Sequence, residues 1–125
     1  LESSASSLHN VGLIYLETEN YQKAALAFEQ AIEIEDSVPT RYIAYARALE
    51  KMGKDKLAIS ALEKAIELDE RPQTLRTLGA LYLKVENIEK AKEIKDRLEL
   101  LKDNRRAIKQ NRISNESIST KKIAM

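Results

Sequence analysis

Residues 8–31, LHNVGLIYLETENYQKAALAFEQA, decide the fold. Residues 42–65, YIAYARALEKMGKDKLAISALEKA, and 75–98, LRTLGALYLKVENIEKAKEIKDRL, repeat their apolar pattern. A small residue sits inside the first apolar stretch of each block: Gly12, Ala46 and Gly79. Another opens the second stretch: Ala24, Ala58 and Ala91. Both series advance by 34 and then 33 positions, so the missing residue falls in the second connection between blocks, where an indel is tolerated best. Self-similarity at this period marks stacked helical hairpins, none of which buries its apolar face alone.

Apolar spacing is helical through residues 8–101, and no alternation lasts long enough for a strand. Breaks at Glu19-Asn20, Asp36 to Pro39, Gly53-Lys54, Asp69 to Pro72 and Glu86-Asn87 predict six helices, about 5–18, 21–35, 40–52, 55–68, 73–85 and 88–102. Connections this short make neighbouring helices antiparallel. Pro39 and Pro72 stand in the same phase at helix starts, where a missing N–H costs nothing. The small residues let paired backbones close in. Gly79→Leu or Ala58→Leu is therefore expected to overpack a hairpin by roughly 1–3 kcal/mol.

The blocks read Leu8-x2-Val11-Gly12-x2-Tyr15 then Ala24-x3-Phe28-x2-Ala31, and Tyr42-x2-Tyr45-Ala46-x2-Leu49 then Ala58-x3-Leu62-x2-Ala65. The third reads Leu75-x2-Leu78-Gly79-x2-Tyr82 then Ala91 and Leu98. This resembles the tetratricopeptide repeat over residues 5–102, in three units of about 5–38, 39–71 and 72–102. The resemblance implies an all-α, right-handed superhelical array of antiparallel helix pairs. Two departures stand out. Asp36, Glu70 and Asp103 occupy unit ends where the family usually has proline, and Lys95 replaces a bulky apolar residue.

The resemblance further implies a concave groove lined by the first helix of each pair. Carried over residue by residue, its lining is His9, Asn10, Leu13, Ile43, Ala44, Arg47, Arg76, Thr77, Ala80 and Leu83, with Leu16 and Glu50 at the far end. Apolar, amide and guanidinium groups in one groove suit an extended peptide or an amphipathic helix. Arg47 and Arg76 offer bidentate geometry to a carboxylate. Co-chaperone members of the family clamp a terminal carboxylate with lysine, arginine and asparagine. The corresponding places here, His9, Leu13, Ala44, Gln73 and Thr77, hold no lysine or arginine, so tight binding of acidic chaperone tails is not expected.

No chemistry is expected of the chain. His9 is the only histidine and reads as polar helix surface, and there is no cysteine to build a metal site or disulfide. Glu29, Glu33, Glu35 and Asp36 read as a solvated face, and the three glycines make no phosphate loop. No cofactor is implied. Composition is 43% hydrophobic and 33% charged, with no apolar run long enough to span a membrane. A cysteine-free chain fits the cytoplasm, the working expectation, and also the periplasm.

Net charge is +1, yet residues 103–125 carry six basic and two acidic side chains, leaving a mildly acidic body. The tail has no aromatic residue to stack on bases, so no specific nucleic-acid reader is expected. Ile94, Leu98, Leu101, Arg105 and Ile108 continue one phase, predicting that the last helix extends to about residue 112 before a flexible end. Ile14 occupies the place that Ala48 and Leu81 hold in later units, facing a preceding unit the chain does not supply. Ile14 at one end, with Ile94, Leu98 and Leu101 at the other, gives a second reading: a self-associating module. A regulatory piece of a larger protein is a third, in keeping with a start at Leu1 rather than methionine.

Overall fold

The computed structural model describes the backbone of residues 4–124 and the side chains of residues 4–115. Six helices follow one another: α1 Ala5–Glu17, α2 Tyr21–Ile34, α3 Pro39–Lys51, α4 Asp55–Leu68, α5 Pro72–Lys84 and α6 Ile88–Ala124. No strand occurs among the described residues. Helices α1 and α2, α3 and α4, and α5 and α6 pack as hairpins, while α2 on α3 and α4 on α5 join each hairpin to the next. The result is a right-handed solenoid.

Helix starts and stops have identifiable causes. Ser4 caps α1 by accepting the Ser7 N–H at 3.0 Å, and Pro39 and Pro72 fill the first turns of α3 and α5. The turn inside each hairpin is the same motif three times. The Asn20, Lys54 and Asn87 N–H groups donate to the carbonyls of Tyr15, Leu49 and Tyr82 at 2.8–2.9 Å. The residue before each donor is left-handed: Glu19 at φ 61°, Gly53 at φ 76° and Glu86 at φ 62°. This closure satisfies the last carbonyls of the first helix.

The core runs along the array in two linked clusters. Ala24, Ala25, Phe28, Ala44 and Ala48 fill the first, with Leu49, Ala58, Leu62, Leu78, Leu81 and Tyr82 in the second. Gly12 is needed because of Phe28: a Cβ at position 12 would lie 2.5 Å from the ring. In the third hairpin a Cβ on Gly79 would meet only the Ile94 side chain, with Cγ2 at 3.1 Å and Cβ at 3.7 Å. Ion pairs pin the connections: Arg41 to Glu35 at 3.1 Å, Arg71 to Asp69 at 2.6 Å, and Arg97 of α6 to Glu70.

The last helix corrects the expected extension to about residue 112. It runs without interruption to Ala124. Nothing from Ile88 onward is glycine or proline, so once nucleated the helix has no encoded stop. The flexible end expected beyond it is therefore helix up to Ala124, and Met125 lies outside the described residues.

Candidate interaction groove

The exposed residues of α3 and α5 converge on one surface. Ile43, Ala46, Arg47, Glu50, Lys51, Leu62 and Thr77 line a cavity of about 260 Å³. A second, of about 390 Å³, is lined by Glu50, Arg76, Thr77, Ala80, Leu81 and Lys84. Glu50 and Thr77 belong to both, so the two form one trough across the second and third hairpins. Five of the ten groove residues expected from the sequence meet here: Ile43, Arg47, Arg76, Thr77 and Ala80. Ile43 also packs against the core, while Arg47, Arg76, Thr77 and Ala80 are exposed. The polar content is two guanidinium groups, the ammonium groups of Lys51 and Lys84, one carboxylate and a hydroxyl, beside an apolar floor.

Ala44 is a correction. It is 6% exposed and packs with Ala24, Ala25, Phe28 and Ala48. Its position turns toward the first hairpin and not into the groove, because α3 must bury a small face against α2. His9 is another. It is half-buried, not open helix surface, with its ring 5.4 Å from that of Phe28. Its Nδ1 is buried without a hydrogen-bond partner among the described residues. Burial, then the nearby Arg41 charge, holds its pKa below 6.5. Leu13 and Leu16 are likewise half-buried against the first cluster, and Asn10 stands exposed beside them. The first hairpin thus contributes packing to this surface more than free ligand-binding groups.

Leu83 lies beyond the trough, 56% exposed, in a separate depression of about 450 Å³ between α5 and α6. Ile94 and Leu98 help line it, and Leu98 and Leu101 border an adjoining one of about 380 Å³. At the opposite end Ile14 is 60% exposed, whereas its counterparts Ala48 and Leu81 are buried.

One residue that the sequence did not single out is Arg41. It is buried, its guanidinium contacting Ser6 of α1 at 3.4 Å as well as Glu35. Only the absence of a charged residue at its counterparts, Ser7 and Thr74, hinted that position 41 faces inward. Among the described residues no three His, Asp or Glu side chains cluster as metal ligands, and no helix is long and apolar enough to cross a membrane.

Comparison with known families and folds accords with this geometry. Tetratricopeptide repeat profiles match residues 5–37 and 39–72, together more than half of the chain. The chain belongs to the tetratricopeptide repeat family. Its third hairpin completes three repeats, in the same phase as the two matched ones. The fold is similar to the first tetratricopeptide domain of Spaghetti (RPAP3) bound to the HSP90 peptide SRMEEVD, with TM-score 0.70, 21% identity and 76% of each chain covered. The Sgt2 tetratricopeptide domain of Aspergillus fumigatus is similar at TM-score 0.68 and 22% identity, covering 75% of this chain and 63% of that one. MamA is similar at TM-score 0.76 and 22% identity, covering 83% and 61%. The chain thus spans less than two thirds of the latter two. No curated protein matches it in sequence.

Proposed function

We propose that this tetratricopeptide array is a non-enzymatic scaffold that holds an extended or helical segment of another protein in its concave trough. The observation that carries this is the continuity of the two cavities across α3 and α5. Ile43 and Ala80 offer apolar contact there, and Arg47 and Arg76 offer carboxylate recognition. Two neighbours in the fold comparison, both domains of Spaghetti, are complexes with an HSP90 peptide, so the architecture accommodates peptides. This chain differs at the places where the family's clamp would stand. Ala44 is buried and His9 leans on Phe28, and none of those places holds a lysine or arginine.

The test is selection of peptides from a random library on the intact chain, followed by calorimetry with Arg47→Ala/Arg76→Ala. The double variant should keep its helical circular dichroism and lose about tenfold or more in affinity for the selected peptides, equivalent to about 1.4 kcal/mol. Equal affinity of both proteins would place recognition on another surface. The HSP90 peptide SRMEEVD serves as a second probe, and micromolar binding would contradict the absence of a clamp.

A further inference from the structure

The first two hairpins are each covered by the next helix, whereas among the described residues none covers the third. Helix α3 lays Ala44 and Ala48 on the first hairpin, and α5 lays Leu78 and Leu81 on the second; all four are buried. The corresponding face of α5 and α6 has no following helix among the described residues. It is a depression of about 450 Å³ with a floor of Gly79, Ala80, Leu83, Ala91, Ile94 and Leu98. Its rim is cationic. Arg76, Lys92 and Lys95 border it, and Lys102 and Arg105 border the adjoining hollow with the single acid Glu99. None of these five cations takes part in an ion pair among the described residues.

Two of the cations mark a change of chemistry between hairpins. Lys92 and Lys95 stand where the second hairpin has Ile59 and Leu62 and the first has Ala25 and Phe28, all buried beneath or beside the next helix. A neutral helix laid on this face would strip water from the lysines without compensation. One carrying carboxylates beside its apolar stripe would pair them. A second copy does not meet that requirement through its free end. The exposed face of α1 presents Ser7, Asn10, Val11 and Ile14 with a single acid, Glu17 in its last turn, against five cations. Pairing two α6 helices in parallel would set Arg105 and Arg112 against their own images.

We infer that the open end of the array, between α5 and α6, is a seat for an acidic amphipathic α-helix of a partner protein, packed where a seventh helix would lie. Its apolar residues cover Leu83, Ile94 and Leu98, and its carboxylates meet Lys92, Lys95, Lys102 and Arg105. The seat is separate from the trough, sharing only Arg76 and Ala80 with it.

The experiment is fluorescence anisotropy with a labelled synthetic helix of about five turns, with leucines at i, i+3, i+4 and i+7 flanked by glutamates. A twin peptide carries lysines in place of the glutamates. The acidic helix should bind, weaken with added salt, and exceed its twin by about tenfold or more. Lys92→Glu/Lys95→Glu should reverse that preference while circular dichroism stays unchanged, and Arg47→Ala, in the trough alone, should leave binding intact. No binding, equal binding of the two peptides, or undiminished binding by the charge-reversed variant would overturn the proposal. Sedimentation showing self-association abolished by Leu98→Glu would also overturn it, since the face would then belong to a second copy. Sensitivity to Arg47→Ala would assign the peptide to the trough instead.

Discussion

The first and third hairpins are built on the same spacing and differ in how they use it. In the first, Gly12 admits the ring of Phe28, which is fully buried, and His9 leans on that ring from the next turn. In the third, Gly79 faces Ile94, and the place of Phe28 is taken by exposed Lys95. Ala24 is wholly buried, whereas its counterpart Ala91 is partly open. Identical small residues therefore have unequal value. One is fixed by a large neighbour it must admit, and the other is a remnant of the pattern on a face left open.

The largest test of that contrast is removal of the large neighbour. Phe28→Ala should cost about 3–5 kcal/mol in chemical denaturation, while Lys95→Ala should change stability by no more than about 0.5 kcal/mol. Similar losses would show the hairpins to be packed alike. A smaller contrast lies in the glycines. Gly12→Ala should destabilise by about 1–2 kcal/mol, because the clash with the ring outweighs the gain in helix propensity. Gly79→Ala should be neutral or slightly stabilising, since Ile94 needs to shift by only tenths of an ångström. If both alanines stabilise equally, Phe28 does not dictate Gly12.

The turns sharpen the comparison further. Gly53→Ala places a Cβ in left-handed backbone and should cost about 1 kcal/mol, whereas Glu86→Gly relieves the same strain and should raise the melting temperature slightly. The smallest effect is a pH dependence confined to the first hairpin. His9 is held below 6.5 by burial and by Arg41, so folding favours its neutral form. Its contribution is complete above that value and is lost as pH falls through the depressed folded pKa. His9→Gln should flatten the decline in melting temperature between pH of about 7 and 5. A parallel decline in both proteins would remove His9 from the account.

Much of this was legible in the sequence because packing imposes periodicity. Gly12, Ala46 and Gly79 reported close helix approach, and Pro39 and Pro72 reported helix starts. Helix ends were harder. Glu19 and Glu86 adopt the left-handed geometry of Gly53 without being glycine, and only the neighbouring asparagines signalled the turns. The groove was half legible. Arg47, Arg76, Thr77 and Ala80 are exposed as the spacing required, but Ala44 shows the limit, because one helical position is about 100° of rotation and separates groove from core. Arg41 and His9 were misread or passed over because burial of a polar side chain depends on neighbours from other helices. The full length of α6 had no positive signal; it follows from the absence of any breaker.

The difference between the hairpins is tested most directly by amide hydrogen exchange across the whole chain, with and without the acidic helical peptide. Without it, α1 to α4 should exchange slowly and the exposed stretch of α6 over residues 102–115 quickly. With it, protection should rise in α5 and α6 around Leu83, Ala91 and Leu98 and stay unchanged in α1 and α2. Uniform protection of all three hairpins, or a response centred on α1 and α2, would contradict a closed first hairpin and an open, receptive third.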